Sequence, residues 1–245
     1  EQNLDFKTCL SYLDVQLKLI VENLDRDLCV NDLLHILLKQ SQIYEKIDDI
    51  EKAIYSLKEA LNLIEDHKDS TEEFDSNIEE VSTYLYHNIA ELYLKTNKFE
   101  EAIVNFKKSI DIAQKININF DFSLMYLNLG VCYFEIKNYG KSLENYKKVI
   151  NLDPNNIDAL IASAEILSLL EKKKEAIKQL ENVLKVLEES KLTASEKKEK
   201  KIKTIEILAI LYSQDKQYKS AIPLFQQLLA NYEQNNLINT IDVAF

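Results

Sequence analysis

The 245-residue sequence predicts an all-α fold, a right-handed α-solenoid of about five helix-turn-helix units with irregular spacing. Three observations predict it. Two glycines and two prolines are too few for strand-and-turn architectures, which need such punctuation about every ten residues. Apolar residues recur at three- and four-residue steps, the helical period. A pattern of large and small residues also returns along the chain, as expected of stacked helix pairs that cannot bury their apolar stripes alone.

Taken in order, residues 1–30 hold an apolar-rich helix over 4–24, carrying Leu4, Phe6, Leu10, Leu13, Leu17, Ile20 and Leu24. It lacks the first-helix pattern of the later units and is expected to be a cap or a truncated repeat. The array is expected over 31–235. Its first unit, about 34–66, is a weaker copy marked by Tyr44, Ala53 and Leu57. The next three align on sight: "YHNIAELYLKTNKFEEAIVNF" in 83–116, "YLNLGVCYFEIKNYGKSLENY" in 123–156 and "LIASAEILSLLEKKKEAIKQL" in 157–190. Each begins on a large residue, followed three positions on by Ile89-Ala90, Leu129-Gly130 or Ser163-Ala164. Tyr93, Tyr133 and Leu167 come next, and then, nine positions later, the small residues Ala102, Ser142 and Ala176. The fifth unit, about 202–232, repeats the frame more weakly with Leu208-Ala209, Tyr212, Ala221 and Phe225. A tail, 236–245, closes the sequence.

The small anchors Ala53, Ala102, Ser142, Ala176 and Ala221 lie 49, 40, 34 and 45 residues apart. Most units therefore carry lengthened helices or connections. The two longest gaps hold the acidic stretch 65–80 and the lysine-rich 195–203, both expected to be solvated. Polar turns ("KTNK", "IKNY", "LEKK", "QDKQ") divide the helices of a unit, and Pro154 ends the third unit. Gly130 should cost its helix about 1 kcal/mol relative to alanine. It is expected to face Ser142 where two helices cross, and a large residue there would overpack the crossing by roughly 1–3 kcal/mol. Lys173 stands where the other units have Ile50, Phe99, Tyr139 or Tyr218, so the fourth unit is expected to be looser.

Hydrophobic residues make up 46% and charged residues 29% of the chain, the balance of a folded protein rather than a disordered one. A formal charge of −11 argues against nucleic acid or an anionic membrane as partner. No 18-residue apolar run predicts a membrane span. Cys9, Cys29 and Cys132 are odd in number and show no paired spacing, which points to a reducing, intracellular and most simply cytoplasmic setting. The chain begins at Glu1 and has no leader pattern, so a piece of a larger protein is expected. Arg26 is the single arginine among thirty basic residues, which suggests an AT-rich genome. His35, His67 and His87 show no metal-ligand spacing, and no nucleophile–base constellation is evident. No enzymatic activity, metal or cofactor is expected.

Tyr126, Leu129, Gly130, Tyr133, Ser142, Tyr146 and Pro154, with in-frame copies over about 34–230, resemble the tetratricopeptide repeat. The resemblance implies that first helices line a concave groove that takes an extended peptide or a helix of a partner. It places Tyr84, His87, Asn88, Glu91, Leu94 and Lys95 of the second unit on that surface. Leu124, Leu127, Asn128, Val131, Phe134 and Glu135 follow from the third, and Asp158, Ile161, Ala162, Glu165 and Leu169 from the fourth. Asn88 and Asn128 occupy equivalent places and resemble the asparagines with which kinesin light chains and peptide-pheromone receptors hold peptide backbone. Leu127, Val131 and Phe134 would receive apolar side chains. Co-chaperones of the family grip a C-terminal carboxylate with lysines and asparagines. The matching positions here are His87, Glu91, Asn128, Asp158 and Ala162, of which only Asn128 fits, so a chaperone C-terminal carboxylate is not expected as ligand. The expected function is that of a non-enzymatic interaction scaffold or adaptor. A peptide-sensing regulatory domain of a larger protein, or a non-catalytic subunit of an enzyme complex, is the alternative. The tail itself could occupy the groove.

Overall fold

The computed structural model describes residues 2–23, 30–67, 78–118 and 120–234. Among them are eleven α-helices and no strand. Contacts divide the chain into two units, Glu1–Ile136 and Lys137–Phe245. The first holds α1 (Gln2–Asn23), α2 (Val30–Lys46), α3 (Ile50–His67), α4 (Ile78–Lys95), α5 (Phe99–Ile116) and α6 (Phe122–Glu135). The second holds α7 (Tyr139–Leu152), α8 (Ile157–Leu169), α9 (Lys173–Glu189), α10 (Ala194–Gln214) and α11 (Tyr218–Gln234).

The polar turns are built on one device. Asp48, Asn97, Lys137, Glu171 and Lys216 each adopt a left-handed backbone, with φ between 57° and 63°. Such a residue ends a helix and turns the chain back. At four of these turns the following residue but one from the helix end closes the loop: the N–H groups of Asp49, Lys98, Lys172 and Gln217 donate to the carbonyls of Tyr44, Tyr93, Leu167 and Tyr212 at 2.8–2.9 Å. Five residues after each left-handed position comes the small anchor. The N–H of Ala53, Ala102, Ser142, Ala176 or Ala221 donates to the carbonyl four residues back, at 3.0–3.1 Å. Neither glycine has a positive φ, so the chain turns without glycine. Gly130 is buried in α6, whereas a Cβ built on Gly140 would meet nothing within 4 Å.

Helix starts are capped by side chains. Asp121, Asn138 and Asn156 accept from the N–H groups of Leu124, Lys141 and Ala159. Thr193 and Glu196 form a reciprocal capping box at α10, which satisfies two otherwise orphaned donors.

In the first unit the core runs through α2 to α6 around Ala53, Leu57, Leu85, Ile89, Ala90, Ala102, Phe106 and Leu129. The helix α1 lies on α2, with Leu10 and Leu13 buried and the Gln40 amide donating to Asp14 at 2.7 Å. Cys132 is fully buried, and desolvation pushes its thiol up to about 12, so it packs as a small apolar residue. In the second unit Ile157, Leu160, Ile161, Val183 and Leu187 form one cluster, and Ile205, Ala209 and Leu228 another. Lys173 pairs with Glu171 at 3.4 Å, and its neighbours Ala176 and Leu180 are fully buried. The lysine-rich stretch lies on α10, where most of its side chains face solvent. Lys200 and Lys203, however, pair with Asp158 and Glu165 of α8, the second at 3.0 Å. Cys29, most of the acidic stretch (residues 68–77) and the tail 236–245 lie outside the described residues.

Candidate functional site

Within the first unit each turn returns the chain, so α2, α4 and α6 come to share one face. Between α2 and α4 this face opens into a cavity of about 190 Å³. Its floor is apolar, with Leu57 of α3 and Leu92 of α4 buried and Leu38 of α2 half-buried. Ser41 and Gln42 of α2 and Asn88 of α4 line its walls, and Glu45 and Glu91 bring one carboxylate from each helix. Ser41 is only 5% exposed. Among the described residues, no side chain or backbone group hydrogen-bonds the side chains of Ser41, Gln42 or Asn88.

Both carboxylates are already oriented. The Lys95 ammonium, one turn beyond Glu91 on α4, sits on Glu45. His87 Nε2 lies 3.4 Å from Glu91 Oε1. This hydrogen bond, opposed by partial burial, holds the Glu91 carboxyl below the usual carboxylate range. Glu91 is therefore ionised at neutral pH. His87 Nδ1 is buried and has no hydrogen-bond partner among the described residues.

His87 does not stand open as its register alone implies, whereas Tyr84 does. Phe120, in the connection between α5 and α6, lies against both, with ring centroids 5.0 Å from Tyr84 and 5.5 Å from His87. Phe106 contacts His87 from the core side at 5.8 Å. The His87 side chain is consequently only 12% exposed, while Tyr84 keeps an exposed edge. Asn88, one residue on, is exposed beside the cavity. On α6, Leu124 is exposed, and Leu127, Asn128, Val131 and Phe134 are partly so.

Ile161 requires a correction. It is 3% exposed and belongs to the α8–α9 cluster, with Ile207 of α10 packed on the same cluster. The side of α8 read as open groove is covered by its helical neighbour, and Asp158 and Glu165 are engaged by the α10 lysines. The contribution of α2 to this face is not marked by the three strong repeats. Aligning Tyr44 with Tyr93 sets Leu38, Gln42 and Glu45 at the positions of His87, Glu91 and Leu94, so the signal is present in the weaker first copy.

Among the described residues, no group of three His, Cys, Asp or Glu side chains is placed to hold a metal ion. No helix of the described chain is long and apolar enough to cross a membrane. The arrangement is one for binding: an apolar floor, three neutral polar groups and two carboxylates.

The tetratricopeptide repeat matches at residues 34–67, 83–116, 123–156 and 204–236, more than half of the chain. Among solved structures, the chain is similar to the MamA protein at 15% identity and a TM-score of 0.63, over 87% of this chain and 99% of that one. A tetratricopeptide repeat protein from Parabacteroides merdae ATCC 43184 is similar at 18% identity and a TM-score of 0.61, over 82% and 68%. YrrB, described as a TPR protein with an unusual peptide-binding site, is similar at 14% identity and a TM-score of 0.57, over 80% and 84%.

Proposed function

The chain belongs to the tetratricopeptide repeat family, and we propose that it is a non-enzymatic scaffold or adaptor that holds an extended peptide of a partner protein on the α2–α4–α6 face. The observation that carries this reading is the α2–α4 cavity, where Ser41, Gln42 and Asn88 present hydrogen-bonding groups unused within the described chain. An extended peptide offers one N–H and one carbonyl per residue, and an amide side chain matches both. Asn88 and Asn128 would hold backbone, while Leu124, Leu127, Val131 and Phe134 would receive apolar side chains. Their partial exposure on one helix face supports that assignment. The peptide-binding site named for YrrB is consistent with the same use of the fold. An affinity on the order of micromolar, about −8 kcal/mol, is expected.

The test places a photo-crosslinking amino acid at position 88 or 128 on this face, or at the exposed Val104 of α5. A partner captured from both inner positions and not from 104 agrees with the proposal. A partner captured equally well from 104 overturns it.

A further inference from the structure

We propose that the α2–α4 cavity is a subsite for one cationic side chain, a lysine or arginine of the bound peptide, its stem on Leu38, Leu57 and Leu92 and its charged head at Glu45 and Glu91. The inference rests on the peptide-binding reading and adds a side-chain specificity to it.

The lining matches the two-part chemistry of such a side chain. Lysine and arginine carry an aliphatic stem that prefers apolar surface and a head that needs acceptors. Here the floor is three leucines, and the acceptors around it are the carboxylates of Glu45 and Glu91 with the side-chain oxygens of Ser41, Gln42 and Asn88. A volume of about 190 Å³ corresponds to roughly six waters at bulk density, which leaves room for a long side chain.

Two further observations point to a ligand. Ser41 is almost completely buried, lines the cavity and has no hydrogen-bond partner among the described residues. Its hydroxyl is left to face the cavity, where an incoming donor can bond to it. Lys95 already rests its ammonium on Glu45, so this wall accepts a primary ammonium from the chain itself. Among the described residues no lysine or arginine pairs with Glu91, which accepts from His87 and remains charged at neutral pH. An apolar or acidic side chain in the cavity would desolvate that charge without compensation. The net charge of −11 also draws cationic peptides toward the chain.

The test uses random dodecapeptides displayed on phage and selected on the immobilised 245-residue chain. Selected peptides are then synthesised with a fluorescein label, and their affinities are read by anisotropy. The expected pool is enriched in lysine or arginine at one position. Replacing that residue by norleucine should weaken binding about tenfold. Glu91→Gln should weaken the lysine peptide by a similar factor and bind the norleucine peptide no more weakly than the wild type does, with circular dichroism confirming equal helicity. If selected peptides lose binding on Leu124→Glu/Asn128→Ala yet show no basic preference, the cationic subsite is overturned and the peptide-binding face stands. A basic preference that survives both Glu45→Gln and Glu91→Gln also overturns the subsite, because the cation is then read elsewhere. If nothing is enriched, or binding ignores every one of these substitutions, the subsite and the peptide-binding face fall together.

Discussion

Five turn residues with side chains hold a backbone conformation that glycine adopts at no steric cost. Asp48, Asn97, Lys137, Glu171 and Lys216 are all left-handed. For an ordinary L-residue that conformation costs roughly 1–2 kcal/mol, and asparagine and aspartate tolerate it best. Lys216 is the clearest case, being exposed and free of any ion pair among the described residues. Glycine there removes the clash of Cβ but adds freedom to the unfolded chain, which leaves a net gain of about 0.5–1 kcal/mol. Lys216→Gly should therefore raise the urea midpoint, and Asn97→Gly should raise it less. A lowered midpoint for Lys216→Gly would show that the turn is held by something other than its backbone geometry. The same scale explains why the site residues differ in accessibility. Asn88 and His87 are neighbours on α4, but the imidazole lies under Phe120 while the amide faces the cavity.

The individual helices depend on their ends as much as on their stripes. The N-terminal third of α10 is a run of lysines and glutamates with little to bury, so its start relies on Thr193 and Glu196. Thr193 N–H donates to Glu196 Oε2 at 2.9 Å, and Glu196 N–H donates to Thr193 Oγ1 at 3.3 Å. Thr193→Ala should cost about 1 kcal/mol, read as a lowered midpoint and fraying at the start of α10. The hydroxyl of Thr193 donating to Glu196, together with the backbone N–H, holds the Glu196 carboxyl below its ordinary range. A carboxyl depressed in the folded state contributes stability above its unfolded pKa of about 4.3 and loses it as pH falls through the folded value. The midpoint difference between wild type and Glu196→Gln should thus be present at neutral pH and shrink as pH falls below the ordinary carboxylate range. A difference independent of pH would mean that the carboxylate charge plays no part in the cap.

For the molecule as a whole, stacked pairs make stability a local property, because each helix is protected by its neighbours. The best-protected stretch is α4–α5, where Ile89, Ala90, Ala102, Phe106 and Ala113 are fully buried. The first and last helices leave apolar stripes open: Tyr12, Val15 and Leu19 on α1, and Tyr218, Ile222, Phe225 and Leu229 on α11. Amide hydrogen exchange should accordingly be slowest in α4 and α5 and fastest among helical amides in α1 and α11. Equal protection throughout would contradict this gradient. The sequence by itself determined the helix pairs, their small anchors and the places of their turns, since these follow from contacts within one pair that recur along the chain. It also marked Asn88, Asn128 and the apolar side of α6, which depend only on helical phase. What the tertiary structure alone decided is which of those positions are open. Phe120 lies across His87, α10 covers the side of α8 that carries Ile161, and α2 completes with α4 a cavity that neither helix has alone. The physical reason is that helical phase assigns a side chain to a face, whereas exposure depends on neighbours brought there by segments distant in sequence.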